Sequence, residues 1–400
     1  MRQFKKIATH VVEGLFALSG SITSLAILLI VLFLFKEGMG LFQSSAVETG
    51  YVICINASNP VEQLTPVEIK EVFNWDITDW KALGGKEGEI VPFRFEEVFS
   101  LYSDEELGED YALLPEKLTE AIVMEPNIIA CVPQQYAPEM SHQVKILPVE
   151  NIKLSSFLSG EEWMPTAHPA PQFGALPLIM GTLWISLFAI LIALPLGLGV
   201  SIFLAELASE PVRKIVKPAI ELLAGIPSVV YGFFGLAVIV PLIQRLFALP
   251  VGETAFTGSI ILAIMALPTI ITIAEDAMRN TPATVREASL GLGATRWQTI
   301  YRVVIPCSAS GISAAVILGI GRAIGETMAV LMVTGNAAVM LHSLFEPART
   351  VPATIAAELG EAPSGGAHYQ SLFMLGCILF VITMIISILA EFVSKRKQTA

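Results

Sequence analysis

Charge is scarce in this chain. Only 15 % of its 400 residues are Asp, Glu, Lys or Arg, while 54 % are hydrophobic and the mean hydropathy is +0.67. An ordinary soluble domain carries about 25 % charged residues, so the deficit argues against a set of soluble domains and for a chain in contact with lipid. The chain also lacks a basic face or basic segment, which excludes nucleic acid as a partner. No Gly-x-x-x-x-Gly-Lys-Ser/Thr loop occurs, so the chain is not itself an ATPase and is not expected to be an enzyme. Cysteine is sparse, with four residues and no zinc-type spacing, and neither a metal nor a cofactor is expected. Cys307 and Cys377 lie in or beside apolar runs and read as packing residues. Cys54 and Cys131 flank a polar stretch, and the spacing leaves open whether they pair.

What the chain has is long apolar runs. Crossing a bilayer core takes about 20 apolar residues in a helix. Six stretches qualify, at about 15–35, 176–204, 219–243, 260–274 with its flanks, 312–333 and 372–392. Pro195 and Pro227 predict kinks or breaks in the second and third. Basic clusters then orient the chain. They comprise Arg2, Lys5 and Lys6; Arg213, Lys214 and Lys217; Arg279, Arg286, Arg296 and Arg302; and Lys395, Arg396 and Lys397. In a six-span arrangement all of them fall on one side, which the positive-inside rule makes cytoplasmic together with both termini. The first run exceeds a signal-peptide core, and Lys36-Glu37 follows it without a small-x-small site, so an uncleaved anchor is expected.

The predicted organisation is therefore residues 1–42 as cytoplasmic N-terminus and first span, an extracytoplasmic segment at 43–170, and a transmembrane region at 171–400. The outer segment is acidic, with Asp104, Glu105, Glu106, Glu109 and Asp110 close together. Strand-like runs at 51–55 and 127–132 alternate with a helix-like piece at 66–73, predicting an α/β insert. Thr65, Pro66 and Glu68 are placed as cap, first-turn proline and capping-box carboxylate. The proline-rich run 165–177 leads back to the membrane. The insert reads either as a spacer or docking surface, or as a ligand-capturing domain.

Two intramembrane and cytoplasmic features carry chemistry. Arg322 and Glu326 lie inside the apolar fifth run, where charge costs several kcal/mol unless paired or hydrated. At four residues apart they are expected to share a helix face, either as a self-neutralising pair or with Arg322 attracting an oxyanion and Glu326 moderating its hold. Between the fourth and fifth runs, within 279–306, the spacing predicts a short helix, a break at Gly291 and Gly293, and an amphipathic piece ending before Pro306. Glu287 is placed near the positive end of the first helix. Trp297, Ile300 and Tyr301 are expected to form an apolar face for a partner.

This loop resembles the Glu-Ala-Ala coupling loop of ABC-importer permeases. Glu287-Ala288-Ser289, Gly293, and Val303-Val304-Ile305-Pro306 keep its spacing, with Ser, Val and Ile as conservative departures. The resemblance implies that Glu287, Ala288, Gly293, Trp297 and Pro306 engage a separate ATPase subunit. Arg322–Asn336, Phe173–Pro177 and Glu221–Gly235 resemble the C-type permeases of phosphate (Pst) importers, and Met328-Ala329-Val330 favours that type over its A-type partner. The resemblance covers most of the chain from Phe173 onward. It implies an all-α polytopic membrane protein with six transmembrane helices of the type I importer fold, in the bacterial cytoplasmic (inner) membrane. It also implies Arg322 and Glu326 as pathway residues, an A-type permease as heterodimer partner, and a periplasmic or lipid-anchored phosphate-binding protein delivering phosphate. Glu221 and Tyr231 are weaker pathway candidates, equally readable as packing residues. Asn59-Pro60, 64–65, 69–73, 77–80 and 84–85 resemble part of a phosphate-binding protein, whose Ser-Gly-Thr anion loop is replaced by Arg94-Phe95-Glu96-Glu97. Without that nest of amides, anion capture by the insert is not expected. Transport of sulfate or molybdate, or a membrane sensor using the insert, are the alternatives; no output domain supports the sensor.

Overall fold

Thr65 caps the helix Pro66–Phe73: its hydroxyl accepts from the Glu68 amide at 3.3 Å, and Glu68 Oε2 accepts from the Thr65 amide at 2.7 Å. Both arms of the capping box are made, so two otherwise orphan donors are satisfied within one turn. This helix belongs to the first of two compact units into which the chain divides in the computed structural model, which describes residues 2–44, 47–48 and 50–396. Lys397 lies outside the described residues, as do the side chains of Arg2, Lys5, Lys6, Lys395 and Arg396.

The first unit comprises Met1–Gly160, Met164–Gly174 and Ala362–Met374. Its sheet has four strands, β1 (Tyr51–Asn56), β2 (Val91–Arg94), β3 (Ile128–Pro133) and β4 (Val144–Leu147), in the order β2-β3-β1-β4. β1 runs antiparallel to β3 and β4, whereas β2 is parallel to β3. Successive residues of a strand face opposite sides, and both sides here are covered. Ile53, Ile55 and Ile129 pack with Ile69, Val72 and Phe73 of the first helix and with Trp80. Cys54, Ala130 and Val132 pack with Leu114, Leu118 and Ile122 of the helix Leu114–Met124. Burial of each large side chain contributes about 1.5–3 kcal/mol, which explains why the strand runs are apolar without strict alternation.

The register decides the cysteine question. Cys54 stands opposite Ala130, and Cys131 opposite Ile53. One residue of offset puts the two thiols on opposite faces of the sheet, in different cores. Both are free and buried, so the pairing that the sequence left open does not occur.

The second unit comprises Glu161–Trp163, Ala175–Glu361 and Leu375–Ala400. Among the described residues of the whole chain, helices at Glu13–Gln43, Leu176–Leu207, Ser228–Leu246, Ala255–Arg279 and Ala367–Phe392 are long and apolar enough to span. A sixth arises if the pair Arg296–Cys307 and Ala309–Gly325, bent by 71°, forms one broken span. The spans Leu176–Leu207 and Ala255–Arg279 pack closely with the helix Ala309–Gly325. Ile270, fully buried, sits against Gly197 and Gly319, where an added Cβ would come within 2.8 Å of its side chain. Small residues at such crossings let helix backbones approach where no hydrophobic drive separates protein from lipid.

Two expected spans are corrected. The third begins at Ser228, not near residue 219, because the helix Glu210–Ala224 ends first and Pro227 caps a new one. Pro227 has no amide hydrogen and holds Ile226 out of the helical region. Tyr231 Oη donates to the Leu223 carbonyl at 2.9 Å across the break, which makes Tyr231 a packing residue there. Pro195, by contrast, lies within the uninterrupted helix Leu176–Ile202. The fifth run does not continue to Val333: its helix stops at Gly325 and a short one restarts at Met328–Val333.

Candidate functional site: an arginine in an apolar helix and a capped loop

Arg322 occupies the last turn of the helix Ala309–Gly325 and is half-buried. Its Nη1 donates to Thr269 Oγ1 of the fourth span at 3.4 Å. Glu326 is not on the same helical face. It is extended, with φ −70° and ψ 131°, and its Oε1 accepts from the Ala329 amide at 3.4 Å at the start of the next helix. The shared face expected from the four-residue spacing fails because the helix ends at Gly325, and no ion pair joins the two residues among those described. Arg322 thus presents a cation beside a hydroxyl, a combination suited to an oxyanion.

The loop after the fourth span is built by its caps. The helix Ala283–Gly291 ends with Gly293 at φ +86°, where the Gly293 amide donates to Leu290 O at 2.9 Å and the Ala294 amide to Ser289 O at 3.2 Å. This is the paired bonding of a Schellman stop, which favours glycine because a Cβ is strained at that φ. Thr295 then caps the next turn: its amide donates to Gln298 Oε1 at 2.9 Å, and its hydroxyl accepts from the Gln298 amide at 3.3 Å. Ser289 and Thr299 hydroxyls, 2.9 Å apart, tie the two pieces together.

Glu287, Ala288 and Pro306 are exposed, and Trp297 is 62 % exposed. Two expectations shift. Glu287 stands one turn inside the helix rather than in its first turn. Ile300 is buried, so the exposed apolar surface is made by Leu292, Trp297 and Tyr301 instead.

Two charged groups escaped the sequence reading. Glu275 has a fully buried side chain near the end of the fourth span, held by Lys217 Nζ at 2.5 Å, Arg213 Nε at 3.4 Å and Arg279 Nη1 at 3.8 Å. Burial pulls Lys217 down, but its hydrogen bonds to Asp276 and Glu275 outweigh this and raise its pKa above the ordinary lysine value. Arg286 counted only as one of a basic cluster, yet its guanidinium is bound on several sides. The i, i+4 spacings of Arg213 with Lys217 and of Glu275 with Arg279 were the available signal.

In the first unit, a cleft of about 230 Å³ lies at the end of β2, lined by Glu48, Tyr51, Arg94, Glu96, Cys131 and His168. Phe95–Glu97 form a short turn there, and His168 Nδ1 lies 2.6 Å from Glu48 Oε2. Two carboxylates beside one guanidinium make it a poor anion cradle.

Known proteins resemble this chain in sequence. The chain is 40 % identical over 250 residues to the probable ABC transporter permease protein YqgH of Bacillus subtilis, covering 62 % of this chain and 81 % of that one. It is 45 % identical over 260 residues to the phosphate transport system permease protein PstC of Mesorhizobium japonicum, covering 60 % and 78 %. Among solved structures, an inward-facing MetNI methionine ABC transporter gives a TM-score of 0.44 at 17 % identity, covering 54 % and 93 %. The sequence pattern of the binding-protein-dependent transport system inner membrane components matches residues 197–399, and this multi-pass, mostly helical chain belongs to that family of transport permeases.

Proposed function

We propose that this chain is the C-type permease subunit of an ATP-driven importer that carries inorganic phosphate across the bacterial cytoplasmic membrane. The observation that carries the reading is Arg322, a half-buried guanidinium in an apolar helix that, among the described residues, hydrogen-bonds the neutral Thr269 hydroxyl. A charge in a membrane helix without a carboxylate partner marks a substrate path by default, and phosphate is what the relative from Mesorhizobium japonicum is named for. Glu326, placed at the helix break, lines the same path and limits how tightly the anion is held.

The assembly pairs this chain with an A-type permease, two copies of an ATPase and a phosphate-binding protein on the outer side. Glu287, Ala288, Gly293, Trp297 and Pro306 form the ATPase contact, supported by the exposed surface around Trp297. Both termini are cytoplasmic, residues 43–170 form the outer insert, and residues 171–400 form the permease. The chain makes no covalent change in phosphate.

The test is uptake by reconstituted vesicles of the whole assembly, with and without residues 45–170, using labelled phosphate against excess sulfate or molybdate. Phosphate accumulation that resists both competitors is expected. Uptake of sulfate or molybdate in its place would overturn the substrate.

A further inference from the structure

Arg286 stands one residue before Glu287, the exposed carboxylate of the coupling helix Ala283–Gly291, but its own guanidinium is engaged with the helix bundle. Nη1 donates to the Thr281 carbonyl at 2.9 Å, and Nη2 donates to the Met278 carbonyl and to Glu206 Oε1, both at 2.8 Å. These acceptors belong to different elements. Met278 lies in the last turn of the fourth span, Thr281 just beyond it, and Glu206 in the widened turn Phe203–Leu207 that closes the second span. The side chains of Arg286 and Glu206 are only 23 % and 11 % exposed.

The chemistry explains why one residue holds three elements. The last carbonyls of a helix have no partner of their own, and a cation near them is favoured by the helix dipole. A fork of donors can serve those carbonyls and a carboxylate together, with short charge-assisted bonds. The fourth span is continuous from Met278 back to Thr269, which receives the Arg322 hydrogen bond. That separation is about 14 Å along a helix. Displacement at Arg286 therefore reaches the intramembrane arginine through a single rigid element.

We propose that Arg286, clamped to Glu206 and to the end of the fourth span, is a positioning residue that makes the coupling helix and the inner ends of the second and fourth spans move as one body. The inference rests on the importer reading above, in which a separate ATPase drives this loop. Arg286 touches neither substrate nor nucleotide; it transmits.

The decisive experiment measures ATP hydrolysis and phosphate uptake together in proteoliposomes holding the complete assembly. Glu206→Gln preserves shape and removes the charge. The expected result is hydrolysis within about twofold of the parent and a fall of about tenfold or more in phosphate moved per ATP, a tenfold change corresponding to about 1.4 kcal/mol. Arg286→Lys should recover part of the ratio lost in Arg286→Ala, because it keeps a cation at the helix end. If Arg286→Ala does not assemble, Glu206→Gln and Arg286→Lys decide alone. A proportional fall of hydrolysis and uptake, or an unchanged ratio, overturns the clamp. Failure of the parent assembly to move phosphate while it moves another oxyanion counts against the substrate only; the ratio is then read with that ion.

Discussion

The guanidinium of Arg322 donates to the hydroxyl of Thr269, on a neighbouring span, at 3.4 Å, while Glu326, four residues along its own chain, serves a different helix. The break at Gly325 separates what sequence spacing joins. A self-neutralising pair would have made the arginine a packing device. As it stands, its charge is available to an anion, and the neutral hydroxyl beside it adds a donor without adding charge.

Arg322→Gln is expected to abolish phosphate uptake, by at least a hundredfold, while the assembly still inserts and co-purifies. Thr269→Val removes the neighbouring donor and should lower uptake by about fivefold, the worth of about 1 kcal/mol for one hydrogen bond. Initial rates in vesicles of equal protein content check both. Normal uptake by a correctly assembled Arg322→Gln protein would remove Arg322 from the pathway.

Gly293→Ala places a Cβ at φ +86° in the loop proposed to meet the ATPase. The strain there costs about 1–2 kcal/mol, although nothing lies within 4 Å of the added atom. ATPase subunits should co-purify with the variant at reduced stoichiometry, and Glu287→Ala should act in the same direction. Full stoichiometry and full phosphate-coupled hydrolysis in both would exclude this loop as the docking element.

Burial pushes the thiols of Cys54 and Cys131 up to about 12, with Glu48 and Glu96 adding to the effect at Cys131. In the unfolded chain these thiols ionise near their ordinary value, about 8.5. The folded state therefore holds more protons above that pH, and the stability they contribute is complete below about 8.5 and is lost as pH rises toward 12. Maleimide labelling of the two should stay slow in the native protein at pH 9 and become rapid in denaturant. Mass spectrometry without reductant should show both as free thiols; a 54–131 disulfide would contradict the strand register.

Glu275→Gln removes the carboxylate shared by Lys217, Arg213 and Arg279. Removing one partner of a buried ion pair costs about 3–5 kcal/mol, and the partial exposure of the three cations places the loss near the lower end. Lys217 has a raised pKa, so its contribution is complete below the ordinary lysine value and is lost only above it. Thermal unfolding in detergent should drop for the variant. The part due to Lys217 should not change between pH 7 and 9, and a loss of stability confined to that window would refute the assignment.

Much of this protein was legible in its residues. Apolar runs longer than a bilayer core announce spans whatever surrounds them. Thr65, Pro66 and Glu68 start a helix through bonds made within one turn, and Gly293 stops one in the same local way. The spacing in the loop around Gly293 is likewise local, since cap, break and helix lie within a few residues. Interactions closing over short stretches of chain can be read from short stretches of sequence.

The rest depended on partners distant in the chain. Whether Cys54 and Cys131 meet turned on a one-residue register between two strands, which no local pattern encodes. Ile300 looked like part of an exposed face until packing buried it. The partners of Arg322, Arg286 and Glu275 come from other helices: Thr269, Glu206, and Lys217 with Arg213. A charged residue in an apolar run declares that it needs a partner, because burial without one is costly. Which partner it finds is decided only when the helices pack.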